Sequence, residues 1–183
     1  MLRLFIGIET DEGIKDIASD FRAHAEPMLQ SCRWVERDNI HLTLRFLGEC
    51  RDSQITELEA ALAAALRNES VFSAFTNGFG VFPSHRRARV LWLGVKNNTR
   101  FLGLYSVITE HLAALGFPPE ERDYRPHITL ARLRTSQKIP AGLLKRGPDL
   151  AHEFEVKAVT LFSSVLTVNG PKYEVIKRVE LAP

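Results

Sequence analysis

The chain has 183 residues, 45% of them hydrophobic and 25% charged, which suits a soluble globular protein of one large domain or two small lobes sharing a core. No apolar run approaches the roughly 18 residues needed to cross a bilayer, and two cysteines, Cys32 and Cys50, are too few for a disulfide framework and lack the paired spacing of a zinc site. A net charge of +2 argues against a long nucleic-acid footprint. The local groups Arg86, Arg87, Arg89 and Arg122, Arg125, Arg132, Arg134 fit either a solvated basic face or a small phosphate-bearing ligand such as an RNA end.

Residues 3–9 predict a buried first strand. The stretch is too short for a signal peptide and is closed by Glu9 and Asp11, so the protein is expected in the cytoplasm. From Asp11, the residues Ile14, Ile17, Ala18, Phe21 and Ala25 recur at helical spacing until Pro27 interrupts them. Arg33 to Val35 and Asn39 to Leu47 predict two extended segments. Asp52 or Ser53 is expected to cap a second helix with Ile55, Leu58, Leu62, Ala65 and Leu66 as its apolar stripe. Phe72 to Phe82 and Arg89 to Val95 read as strands. A third helix opens at Asn98 or Thr99, carries Phe101, Leu104, Tyr105, Ile108, Leu112 and Leu115 on one side, and stops at Gly116 and Pro118. Tyr124 to Arg132 reads as extended and Pro140 to Lys145 as a short helical turn. Glu153 to Val165 and Tyr173 to Leu181 read as strands separated by the turn residues Asn169, Gly170 and Pro171. Strands that follow one another without a β-α-β rhythm favour antiparallel pairing and an α+β class.

One pattern occurs twice, just under half the chain apart: His41-Leu42-Thr43-Leu44 and His127-Ile128-Thr129-Leu130. Residues two apart on a strand share a face at roughly 6–7 Å, so each copy aims a histidine and a threonine to one side and its aliphatic residues into the core. A single His-x-Thr is weak evidence, because threonine is a common strand former and histidine is often a satisfied half-buried residue. Two copies matching at all four positions point to function and to two similar halves facing one cleft. Two imidazoles on opposite sides of a phosphorus suit in-line opening of a cyclic phosphodiester, one taking a proton from water and one giving a proton to the leaving oxygen. The threonine hydroxyls can donate hydrogen bonds to the non-bridging oxygens. His24, His85, His111 and His152 have no such repeated setting.

At these residues the chain resembles the two-histidine (2H) phosphoesterase superfamily, and within it the RNA 2′,3′-cyclic phosphodiesterases, also described as LigT-like, ThpR-like or 2′-5′ RNA ligase proteins. The resemblance rests on Arg3 to Glu9, on Trp34-Val35 with Asn39 to Glu49, and on Tyr124 to Arg132. It implies an α+β fold of duplicated antiparallel sheets around a central cleft, one domain over residues 1–183 made of two similar lobes. It also implies hydrolysis of an RNA 2′,3′-cyclic phosphate end, or a small cyclic nucleotide, to a 2′-phosphomonoester, with no metal or other cofactor. By the same resemblance His41 is the proton donor, His127 the proton acceptor, and Thr43 and Thr129 hold the phosphate. Related members are linked to reversible 2′–5′ joining of RNA halves.

Arg45 and Arg132 are the candidates for further phosphate contacts. A regular strand gives Arg45 the active face and turns Arg132 away, unless the second strand bulges there. Phe46 and the Arg86–Arg89 loop can stack on or steer a base, with core packing and solvation as their plain readings. Other functions compete with hydrolysis of an RNA end. One is a nucleotide- or RNA-binding module with vestigial catalysis; another is the same chemistry on 2′–5′ oligonucleotides or an ADP-ribose cyclic phosphate. A zinc hydrolase lacks a ligand motif. A monomer without membrane contact is expected.

Overall fold

Alternating and helical apolar spacings sort the chain into β1 (Leu2–Glu9), α1 (Glu12–Ala25), β2 (Cys32–Trp34), β3 (His41–Cys50), α2 (Ile55–Leu66), β4 (Phe72–Phe82), β5 (Ala88–Lys96), α3 (Asn98–Ala113), β6 (His127–Gln137), β7 (Glu153–Val156), β8 (Ala158–Thr167) and β9 (Gly170–Glu180). This computed structural model describes residues 1–145, 151–167 and 170–183. The strands pair antiparallel in the order β7-β4-β5-β6-β3-β1-β8-β9, with β2 beside β6. The order is symmetric about its centre. β3 answers to β6, β1 to β5, β8 to β4 and β9 to β7, and the unit β1–α1–β3 recurs as β5–α3–β6. The two halves meet where Leu42 pairs with Ile128. The class is α+β, a curled antiparallel sheet with three flanking helices among the described residues.

Two helices tie the halves together: α1 packs on β4 and on β2, which lies beside β6, and α3 packs on β3. α1 begins where the Asp11 carboxylate accepts the Ile14 N–H (2.9 Å) and buries Ile14, Ala18, Phe21 and Ala25. Phe21 stacks on Phe79 of β4 with ring centroids 3.9 Å apart and meets the edge of Trp34 in β2. α3 buries Phe101, Leu104, Ile108 and Leu112 and packs on α2 and β3. Each such fully buried side chain contributes about 1.5–3 kcal/mol, so pulling the halves apart exposes several at once.

Three expectations need correction. Residues 52–54 form a tight three-residue turn in which Gln54 accepts the Arg51 N–H, so neither Asp52 nor Ser53 caps α2. Asp52 instead lies 3.3 Å from the N-terminal amine. The single strand expected over 153–165 is two, because the chain changes sides at Lys157, whose carbonyl accepts the Leu181 N–H: β7 joins β4 at one edge and β8 joins β1 in the other half. Gly170 and Pro171 begin β9, and Asn169 lies outside the described residues. The turn expected over 140–145 is present, closed by Leu143 N–H to Pro140 and Lys145 N–H to Gly142. No described helix is long and apolar enough to cross a membrane.

Candidate active site

The two motifs occupy matching positions at the centre of the sheet. β3 and β6 show the same burial sequence over their first seven residues: His and Thr half-buried on the concave face, Leu42 or Ile128 in the core, then two consecutive buried residues. That doubled burial has one cause in both halves. Opposite the adjacent pair Ile6–Gly7 of β1, β3 places Arg45 and Thr43, leaving Leu44 as an extra residue. Opposite Leu91–Trp92 of β5, β6 places Ala131 and Thr129, leaving Leu130 extra. These are matched β-bulges, and each shifts the in–out alternation by one residue.

The bulges overturn the expectation for Arg45. Past Leu44 the side chains swap faces, so Arg45 points into the protein at 4% exposure, beside the Glu120 carboxylate (3.0 Å) and donating to the Pro118 carbonyl. It pins the segment that carries Pro118 and Glu120. Arg132, three residues past Thr129, emerges exposed on the concave face with the histidines, and its counterpart in the first half is Phe46, exposed at 56%. The Arg86–Arg89 loop is solvent-exposed save for Ala88.

Along the seam, Leu42 opposite Ile128 sets His41 beside Thr129 and Thr43 beside His127, with the two histidines on the diagonal, about 7–8 Å apart in a regular ladder. The backbone fixes each ring identically. His41 Nδ1–H donates to the Asn39 carbonyl and His127 Nδ1–H to the Arg125 carbonyl, both 2.7 Å. A carbonyl only accepts, so Nδ1 carries the proton and Nε2 is the unprotonated nitrogen in both neutral rings. His41 Nε2 accepts from the Thr43 hydroxyl at 2.9 Å. The Thr43 carbonyl accepts from the Tyr124 hydroxyl (3.0 Å), and Tyr124 stacks flat on Tyr105 of α3 at 4.5 Å.

Aromatic rings wall both imidazoles. Phe5 lies 4.8 Å from His41, and Tyr173 meets it edge-on at 5.1 Å. Phe82 meets His127 edge-on at 5.0 Å, with Trp92 at 6.4 Å. Burial among these rings pushes the His41 pKa down to about 4, helped by the Arg132 and His127 charges and opposed by the Asn39 carbonyl. Burial lowers His127 too, with Arg132 adding to it and the Arg125 carbonyl opposing. Both rings are therefore neutral near pH 7 in the free protein. Tyr173, Phe5, Phe162, Phe82 and Trp92 were not legible as site residues, because only the sheet order carries them to the histidines. Asn39 stands inside the motif phrase: its carbonyl orients His41 while its side-chain amide donates to the Pro171 carbonyl (2.6 Å), tying β9 to the first motif. No three His, Cys, Asp or Glu side chains gather into a metal-binding group among the described residues.

The sequence over residues 8–92 and 94–173 matches the family described as LigT like Phosphoesterase. The chain belongs to the LigT-like phosphoesterases. LigT-like relatives include the RNA 2′,3′-cyclic phosphodiesterase of Thermotoga maritima, 34% identical over 96% of this chain and 93% of the relative. Another is the protein of the same name from Methanocaldococcus jannaschii, 33% identical over 96% and 99%. Among solved structures, LigT of Escherichia coli in complex with 3′-AMP superposes with a TM-score of 0.83 at 27% identity, covering 100% of this chain and 99% of the other. The protein TT0787 of Thermus thermophilus gives 0.81 at 26% identity, covering 98% of each.

Proposed function

We propose that this protein hydrolyses 2′,3′-cyclic phosphate ends of RNA to 2′-phosphomonoesters by two-histidine acid–base catalysis that needs no metal. Relatives across nearly the whole chain bear the name of this activity. The observation that carries the mechanism is the pair of backbone-fixed Nε2 atoms either side of the β3–β6 seam, with Arg132 on the same face.

Water attacks phosphorus while its proton passes to His127 Nε2. The bond from phosphorus to O3′ breaks, and O3′ takes the proton held by His41 Nε2, so water's atoms end divided between the 2′-phosphate and the 3′-hydroxyl. Thr43 and Thr129 hydroxyls and the Arg132 guanidinium hold the non-bridging oxygens, where a planar fork suits phosphate geometry. Phe46, exposed beside Phe5 at 6.2 Å, offers a face for the terminal base. With the 5′-hydroxyl of a second RNA in place of water, the same displacement forms a 2′–5′ linkage. The 183 residues act as one domain of two lobes, as a monomer.

The test is incubation with adenosine 2′,3′-cyclic phosphate and with an RNA ending in that group, a chelator present, and identification of the isomer formed. Chelator-resistant formation of the 2′-phosphate is expected, falling ~10²–10⁴-fold in each of His41→Ala and His127→Ala. Undiminished turnover in either variant would refute the two-histidine mechanism. Tight binding without turnover would favour a nucleotide-binding module instead.

A further inference from the structure

Two arginines beside this site, Arg33 and Arg3, are left over from the chemistry. Arg33 of β2 stands directly opposite Arg132 of β6, so the two side chains leave the same face about 5 Å apart. Like charges in that position repel each other. Among the described residues neither forms an ion pair, nor does Arg3 of β1, which has Glu49 of β3 opposite it in the register, whereas Arg37, Arg45 and Arg178 each hold a carboxylate. Arg33 reaches across to the start of β9: a Cβ at Gly170 would meet its Nη2 at 3.0 Å. The same strand carries Tyr173, edge-on to His41. Arg132, Arg3 and Arg33 all lie close enough to the Tyr173 hydroxyl to oppose the rise that burial causes in its pKa. Of the three, only Arg132 also acts on the two histidines. The cations thus form two tiers, Arg132 at the histidines and Arg33 with Arg3 one step outward on the Tyr173 side. An anion between the tiers would relieve their mutual repulsion.

We propose that Arg33 and Arg3 form a second phosphate subsite, which takes the phosphate on the 5′ oxygen of the nucleotide whose 2′,3′-cyclic phosphate lies between His41 and His127. This rests on the function proposed above and specifies its substrate: a nucleotide that carries a phosphate on both sides of its ribose, as an RNA end does and a nucleoside cyclic phosphate does not. Three substrates test it, namely adenosine 2′,3′-cyclic phosphate, the same compound bearing a 5′-phosphate, and the dinucleotide ApA ending in the cyclic phosphate. The readout is the ratio of kcat/KM between substrates on one protein, which cancels any general loss of folded enzyme.

Wild type is expected to favour both phosphate-bearing substrates over the nucleoside by roughly 10–100-fold, the range for a hydrogen-bonded charge pair. In Arg33→Gln with Arg3→Gln both ratios fall towards one. A ratio raised only for the 5′-phosphorylated monomer assigns the subsite to a terminal phosphate, and ratios raised equally assign it to the phosphate itself. Equal use of all three substrates by wild type, or a preference for ApA alone that survives both substitutions, overturns the subsite and leaves the phosphodiesterase reading standing. Cleavage of none of them overturns that reading.

Discussion

The state of the two histidines makes a demand that pH can test. In-line opening of a cyclic phosphate needs one imidazole charged and one neutral. Burial holds His41 at about 4, so in the free protein at pH 7 roughly one molecule in a thousand carries the proton there, a cost of about 4 kcal/mol. His127 is lowered as well. Because kcat/KM reports the free enzyme, it should rise towards acid pH and fall about tenfold per unit above pH 6.5, with no plateau through pH 8. The profile of kcat should bend at higher pH, since a bound phosphate anion favours the imidazolium. Proton uptake is read directly from the imidazole resonances of isotopically labelled protein, where His41 should stay neutral until about pH 4. Arg132→Gln removes a charge that lowers both imidazoles and should move both midpoints upward, whatever it does to turnover. A His41 midpoint at or above about 6.5, or a flat kcat/KM from pH 6 to 9, would refute the reasoning.

The same burial makes the fold acid-sensitive. Between pH 6.5 and about 4 the unfolded chain binds a proton at residue 41 that the folded one refuses, so stability rises with pH across that window. Urea midpoints should fall on acidification through it and recover in His41→Gln. Arg45→Met should destabilise by about 1–2 kcal/mol in urea unfolding, because the Pro118 carbonyl loses its charged donor while Glu120 returns to water. It should also lower kcat, since the segment it anchors carries Tyr124 and Arg125; unchanged kcat would detach Arg45 from the site. Gly80→Ala would place a methyl 2.1 Å from the Trp92 ring, which lies beside His127. A loss of about 1–3 kcal/mol and a fall in kcat are expected, and wild-type behaviour in both would show that the indole is free to move.

The sequence carried the elements well wherever one physical signal ruled. Short apolar runs bounded by polar or turn residues placed β1, β4 and β5, and a helical stripe placed α1 and α3. It failed where a single residue has to serve two ends. Lys157 looks like one more polar position in an alternating strand, yet its carbonyl pairs with Leu181 and the chain there passes from one half to the other. The histidine pair was legible because its pattern is local and repeated. The aromatic walls were not, since Phe5, Phe82 and Tyr173 reach the histidines only through strand order. Nothing in the composition of Asp52 and Ser53 reveals that Gln54 will take the capping role with Arg51.

The bulges show why the two arginines traded places. A strict alternation gives Arg45 to the cleft, and a bulge of one residue buries it. The equivalent bulge in β6 buries Ala131, which needs no partner, and frees the next position for Arg132. The two strands thus share a register while the residue behind the bulge and the one after it differ: arginine then phenylalanine in the first half, alanine then arginine in the second. A symmetric scaffold can present two equal histidines, but the ligand proposed for it is not symmetric, having a phosphate at one end and a base at the other. The cleft matches that difference, with the Arg132 guanidinium on the side of β6 and the Phe46 ring on the side of β3. Exchanging the two, as Phe46→Arg with Arg132→Phe, keeps charge and bulges. If polarity resides in these two side chains, the exchanged protein should lose most turnover while retaining its fold.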